Sequence, residues 1–137
     1  MAFRYIGNSP PQATASFTSL TATTITTSTA VAGTETKATA TGNLKLDFSA
    51  NQNFILTLTG ALTLDNPTTE IVGQSGFIVF IQDGTGGRTV SLDTDYEVAG
   101  GGGSLSLSSA ASATDIVPYV TMADARILLG APQLAFA

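Results

Sequence analysis

Few residues of this chain could do chemistry, and the sharpest pattern is that of Ser75 in Gly73-Gln74-Ser75-Gly76. A serine in a glycine-bounded turn is the arrangement of a nucleophile elbow, which exposes the serine hydroxyl for attack. The elbow requires a glycine two residues after the serine, where this chain has Phe77, and a histidine base, of which the chain has none. We therefore interpret the segment as a turn and do not expect Ser75 to be catalytic.

A second candidate is the group of carboxylates formed by Asp93, Asp95 and Glu97, which alternate along the segment DTDYE. Alternate residues of an extended strand lie on one side, so these oxygens could bind a hard cation such as Ca²⁺. The ligand series and the glycine of an EF-hand loop are missing, and a solvated face or a protected strand edge explains the charges better. A carboxylate pair for glycoside hydrolysis would need a cleft and separated pKa values, which sequence proximity does not provide.

The composition excludes most other chemistry. The chain has no Cys and no His, so it has neither a disulfide framework, nor a zinc-thiolate site, nor the commonest general base. The segment Gly84-Thr85-Gly86-Gly87 is not a phosphate loop, because no Lys-Ser/Thr pair follows it and no helix is predicted there. We predict no enzymatic activity, no cofactor and no metal.

The charge and hydropathy of the chain also limit its partners. Charged residues make up 11% of the chain and its net charge is -5, so it lacks a basic surface for nucleic acid or for an anionic membrane. No apolar run approaches the roughly 18 residues of a membrane span, and the amino terminus lacks the apolar stretch of a signal peptide. A chain so poor in charge is typical of a protein covered by neighbours, and a free β-sandwich with a hydroxyl-rich surface is the alternative.

From Gly42 onward the apolar residues recur with period two, which is typical of β-strands. Leu44, Leu46 and Phe48 form one such series, and a second begins at Phe54 and is predicted to turn at Gly60-Ala61. About eight short strands separated by turn signals predict an all-β fold. We expect an antiparallel β-sandwich or a jelly-roll-like barrel over residues 42–137.

The segment GQSGFIVFIQDGTGGRTVSL, residues 73–92, predicts a β-hairpin. Its apolar run has no polar alternation, so both faces of the first strand are expected to be buried. Ile78 and Phe80 would lie on one face, and Phe77, Val79 and Ile81 on the other.

These segments resemble the small all-β modules of tailed-bacteriophage virion proteins, namely tail fibres and capsid decoration or head-fibre proteins. The shared order is a Thr-Gly-Ala-Leu-Thr-Leu-like turn, a Gly-Gln-Ser-Gly lead-in, the apolar strand, Gln-Asp-Gly-Thr-Gly-Gly-Arg and a second strand. The resemblance covers Leu56 to Ala137 and includes no catalytic signature. It implies a structural role in a virion.

Residues 1–41 are predicted to form an anchor and an extended arm. In the anchor, Phe3, Tyr5 and Ile6 surround Arg4 before Pro10-Pro11, a composition suited to docking into a neighbouring protein. An ordinary first strand packed on its own core is the alternative. The arm is rich in Thr, Ser and Ala, so its β-branched content favours extended structure. Its large apolar side chains are Phe17, Leu20, Ile25 and Val31.

Four large apolar side chains are too few to order such an arm alone, so we expect it to order along another subunit, with a disordered linker as the alternative. The sequence favours a homotrimeric capsid decoration protein (cement or head fibre) of the virion surface, attached to the major capsid protein. The runner-up is a short tail-fibre or tail adaptor subunit, whose turns at 83–87 and 100–103 could touch host glycans. A free carbohydrate-binding β-sandwich is third, although three Tyr and no Trp give few stacking surfaces.

Deleting Met1 to Gln12 is expected to leave the β-domain folded and to abolish attachment to the phage particle. The reason is that the diproline and the arm separate the aromatic cluster beside Arg4 from the domain. Circular dichroism measures the folding, and co-sedimentation with particles lacking the protein measures the attachment. Full-strength binding by the shortened chain would move the docking surface to the β-domain.

Overall fold

A computed structural model describes residues 33–136, and within this range the protein is all-β, as predicted, with nine strands and no helix. These residues belong to one unit of the chain, Val31–Ala137. The strands are β1 (Thr34–Lys45), β2 (Asn53–Asp65), β3 (Ser75–Gln82), β4 (Val90–Leu92), β5 (Tyr96–Val98), β6 (Ser104–Leu105), β7 (Thr114–Ala123), β8 (Arg126–Leu129) and β9 (Gln133–Phe136).

The strand β2 is the centre of the sheet. Along one edge it pairs in parallel with β1 from Asn53 to Asp65. Along the other edge its first half pairs in parallel with β3, and its second half, from Leu62 to Leu64, pairs in parallel with β4. Three other strands therefore depend on the backbone of this one strand.

The remaining strands extend the sheet on both sides. Beyond β3 come β7 and β8 in antiparallel order, followed by β5, which is parallel to β8, while β6 pairs antiparallel with β4. Tyr96 of β5 and Leu105 of β6 belong to the same buried cluster although they lie at opposite ends of the strand order. The sheet therefore curls around its core into a nearly closed barrel.

The pairing is mixed, and this differs from the purely antiparallel arrangement expected from the sequence. Parallel neighbours normally need a long crossover, but β1 and β2 are joined only by residues 46–52. The end of β1 lies beside the end of β2, since Lys45 pairs with Asp65, so residues 46–52 must return along the sheet to the start of β1, where the Gln52 and Asn53 N–H groups donate to the Gly33 carbonyl oxygen. The connection itself is packed, since Leu46 and Phe48 are buried in it.

The core is built from alternate residues of the strands. Even-numbered residues of β2 face inward, and Phe54 lies 5.0 Å from Phe48, centroid to centroid, in an edge-to-face arrangement. Tyr119 of β7 packs edge-on against Phe48 at 5.2 Å. The largest side chains with almost no exposure are Leu46, Phe48, Phe54, Leu56, Leu58, Leu62, Leu64, Ile78, Phe80, Val90, Val117 and Ile127.

One predicted hairpin and one predicted turn are absent from the structure. The predicted hairpin of residues 73–92 is wrong, because β3 and β4 pair with successive halves of β2 and not with each other. The predicted turn at Gly60-Ala61 is also wrong, because β2 runs straight through it. Gly60 is partly exposed, and a Cβ there would collide with the side chain of the exposed Thr41, so the glycine serves close packing between β1 and β2 and not a reversal.

The prediction that both faces of β3 are buried is half wrong. Ile78 and Phe80 are 0% and 1% exposed, as expected for the inner face, but Phe77 on the outer face is 49% exposed. Val79 and Ile81 on that face are partly exposed. No second layer of the described residues covers this side of the sheet.

The strand β1 begins at Thr34, within the range that the sequence assigned to the arm. The predicted boundary between residues 41 and 42 therefore lies inside a paired strand. Within residues 33–136 no helix is long and apolar enough to cross a membrane.

Replacing Phe80 by Ala is expected to lower the free energy of unfolding by about 3 to 5 kcal/mol, because it empties a fully buried position. Phe77→Ala is the matched control and should cost only about 1 kcal/mol within a single chain, since half of the side chain is already in water. Urea denaturation at high dilution measures both. Equal losses would mean that the outer face is covered within the chain itself.

Candidate functional site

The predicted docking residues cannot be placed on the fold. The anchor and arm residues lie outside the described range, and their roles stay predictions. They are Phe3, Arg4, Tyr5, Ile6, Phe17, Leu20, Ile25 and Val31.

Ser75 is the first residue of β3 and follows the turn at Val72 and Gly73, so the serine itself lies in a strand and not in the turn that the sequence predicted. Its carbonyl oxygen accepts a hydrogen bond of 2.7 Å from Gln52 Nε2. The next residue, Gly76, lies so close to the Gln52 carbonyl oxygen that a Cβ would clash with it. The Tyr119 hydroxyl donates to the same Gln52 oxygen at 2.7 Å, and burial raises the pKa of Tyr119 to about 12, so the hydroxyl keeps its proton.

The three carboxylates of DTDYE do not share one face, because the chain turns at Thr94 and Asp95 between β4 and β5. Glu97 pairs with Arg126 through two bonds of 2.9 and 3.2 Å, and these bonds lower the pKa of Glu97. Asp93 Oδ1 accepts from the Thr94 backbone N–H at 2.8 Å. The sequence-based grouping of these residues is therefore wrong.

The structure groups Asp95 instead with Glu70 and Asp124. Burial raises the pKa of Glu70, and the charges of Asp124 and then Asp95 raise it further. Among residues 33–136 no group of acidic, His or Cys side chains could hold a metal ion. The charges of Asp124 and Asp95 repel that of Glu70, and a side-chain hydrogen bond with Asp124 also raises the pKa of Glu70.

The glycine-rich segment after β3 is a loop held in one conformation by hydrogen bonds from its own polar side chains. Buried Gln82 donates through Nε2 to the Arg88 carbonyl at 2.9 Å and accepts from the Arg88 N–H at 2.8 Å. Asp83 Oδ1 accepts from the N–H groups of Thr85 and Gly86 at 3.0 and 2.9 Å. Arg88 Nη2 contacts Asp83 Oδ2 at 2.8 Å, and its hydrogen bonds hold the pKa of Asp83 below the usual value. The loop thus uses its charged groups internally.

The outward-facing residues of β1, β2, β3, β7 and β9 form an extensive exposed surface, which we call the outer face. The strand registers align Ile55, Val79 and Ile116 in one row, with Thr36 and Gln133 at its ends. Two further rows flank it. They are Asn53, Phe77 and Pro118 on one side, and Thr57, Ile81, Thr114 and Phe136 on the other.

A groove of about 560 Å³ crosses the outer face. None of its lining residues is charged. They are Thr34, Asn53, Ile55, Phe77, Val79, Ile116, Gln133 and Phe136. An apolar surface of this kind is suited to bind another apolar surface.

One rim of the groove is fixed by a buried carboxylate. Asp115 is 1% exposed, and its oxygens accept from the Ser108 N–H at 2.6 Å, the Ser108 hydroxyl at 2.8 Å and the Ala135 N–H at 2.8 Å. These bonds tie β9 to β7 and hold Phe136, which is 46% exposed, beside Ile116 at the groove. A buried charge with three donors is a stable anchor for a short edge strand.

The sequence-based analysis did not identify the outer face as a site. Its signal was present in β3, where both alternating sets of residues are apolar, but this pattern was interpreted as a strand buried within one chain. On the outer sides of their strands Ile55 stands between Asn53 and Thr57, and Ile116 stands between Thr114 and Pro118, so neither gave a separate signal. Only the register brings them beside Val79.

Glu70→Gln is expected to raise the melting temperature at pH 7, because a carboxyl whose pKa is raised on folding destabilises the fold while it is ionised. The gain should disappear as the pH falls through the raised pKa toward the ordinary value of 4.5, where the wild-type group is protonated in the folded state. Glu97→Gln is the control with the opposite sign, because the Glu97 pKa is lowered by Arg126. A lower melting temperature for Glu70→Gln at pH 7 would contradict the repulsion.

One family of known proteins matches residues 41–123, and it is described as "Putative phage tail fibre C-terminal domain". No curated protein and no solved structure matches the chain. The family match supports the resemblance to phage virion modules that the turns and strands indicated, and thereby a structural protein of a phage virion. The matched segment covers more than half of the chain and runs from within β1 to the end of β7. The chain therefore belongs to this family of phage tail fibre domains.

Proposed function

We propose that this chain is a structural subunit of a phage tail fibre. The observation that carries the proposal is the family match over residues 41–123, which includes the central strand β2 and most of the outer face. The match favours the runner-up interpretation of the sequence over the capsid decoration protein that the sequence analysis preferred. The described surface fits a structural role. The loop after β3 uses its charged groups in internal hydrogen bonds, and the uncharged outer face offers contact area in place of reactive groups.

We propose further that the subunit is a homotrimer without enzymatic activity. A fibre connects a phage particle to a cell, so its subunits need stable contacts with one another more than they need a reactive site. The low charge of the chain and the uncharged outer face support self-association. The anchor around Arg4 and the arm residues that precede β1 would attach the trimer to the rest of the virion.

The location on the virion tests this function. Gold-labelled antibody against the purified chain is expected to bind at the tail of negatively stained particles, and a quantified gel should give a few to a few dozen copies per particle. Antibody against a major capsid protein serves as the control for labelling of the head. Labelling spread over the head, with hundreds of copies per particle, would instead establish a capsid decoration protein.

A further inference from the structure

We propose that the outer face is the surface through which copies of this chain pack against one another. The proposal rests on the homotrimer of the proposed function for its stoichiometry. It adds the location of the contact, which places Phe77, Val79 and Ile116 at the centre of the interface.

Charge is the first reason to assign a second copy as the occupant. The chain carries a net charge of -5, so two copies repel wherever their charged surfaces meet. Around a symmetry axis identical residues approach one another, and a contact surface must then be compatible with itself. The groove lining contains no charged residue, and its apolar rows satisfy this condition.

The charges nearest to the groove point away from it. Glu35 and Lys37 of β1 lie level with Phe54 and Leu56, which face the core, so they occupy the opposite side of the strand from Thr34. The two side chains also pair with each other at 2.6 Å. The outer face is thus free of charge up to its edge.

Both strands at the margins of this face are poorly suited to pairing with a strand of another chain. Charged side chains on the inward side of an edge strand, such as Glu35 and Lys37 in β1, prevent strand addition. In β9, Ala135 has a φ of +59°, which interrupts the extended backbone that a neighbouring strand would need. Copies are therefore expected to meet face to face and not edge to edge.

The size of the face decides how much of the interface it can supply. Five strands about 4.8 Å apart and three rows about 6.7 Å apart cover on the order of 400 Å² with their side chains. This is comparable to the largest apolar patch of an ordinary monomer and about half of what each partner contributes to a standard stable interface. The outer face is then the apolar centre of a larger contact.

The experiment compares aspartate substitutions in the full chain. Phe77→Asp places a charge on β3, the middle strand of the face, and we expect it to convert the trimer to monomers at micromolar concentration while the circular dichroism spectrum stays unchanged. Ser91→Asp, on an exposed position of β4 away from the groove, is the matched control and should remain trimeric. Light scattering or mass photometry measures the mass.

A second measurement does not depend on how the aspartate variant folds. The chain has no Cys, so Phe77→Cys and Ser91→Cys each introduce a single thiol. In the purified trimer a maleimide should modify the thiol at position 77 several-fold more slowly than the thiol at position 91. Under conditions that dissociate the trimer without unfolding it, the two rates should become similar.

The contrary results are distinct. A Phe77→Asp variant that keeps the wild-type mass, or equal labelling of both thiols in the trimer, would overturn the assignment of this face. A monomeric wild-type chain, together with a Phe77→Cys thiol that is protected only in the virion, would mean that another protein covers the face, which also overturns the assignment. Antibody labelling at the head would overturn the tail-fibre function alone and leave the interface result intact.

Discussion

The structure depends on the alternation of β2. Phe54, Leu56, Leu58, Leu62 and Leu64 are buried in the core, and this inner row is interrupted only at the partly exposed Gly60, so one strand supplies an inner wall of the barrel from Phe54 to Leu64. Its backbone groups pair with β1 on one side and with β3 and then β4 on the other. A shift of one residue in this strand would exchange its inner and outer sets, placing Phe54 in water and Asn53 in the core. The position of every neighbouring strand follows from this register.

The polar residues complete the fold by closing its connections. Gln82 and Asp83 hold the loop after β3 through bonds to Arg88, and Asp115 holds the last strand in place. Leaving the buried Gln82 and Asp115 unpaired would be costly, so each of them fixes a single geometry for its part of the chain. The groove of the outer face contains no charged side chain.

Much of the fold could be predicted because period two identifies strands directly. The alternating series that begins at Phe54 corresponds to β2, and the apolar run of residues 77–81 lies within β3. Alternation specifies which residues share a face, but it does not specify which strands are neighbours, and for this reason the hairpin of residues 73–92 was predicted wrongly.

The candidate site was harder to predict than the fold. An apolar residue such as Phe77 gives the same sequence signal whether its own chain or another molecule covers it. The grouping of Asp95 with Glu70 and Asp124 depends on tertiary structure alone, because these residues lie in separate connections of the chain. Local spacing contains no information about such a meeting of distant segments.

The order of strands around β2 also has a consequence for biosynthesis. The strand β2 lacks its second neighbour until β3 has emerged from the ribosome. The edge of β3 that faces away from β2 then stays unpaired until β7 has been made. Contacts between segments so distant in sequence are formed late, and proteins dominated by them fold in about milliseconds to seconds. During that interval the incomplete chain exposes long apolar strands with free edges, which makes it prone to aggregate. The arrival of β7 ends this exposure by pairing the free edge of β3, so the yield of soluble protein would depend on the rate of synthesis as well as on the stability of the finished fold.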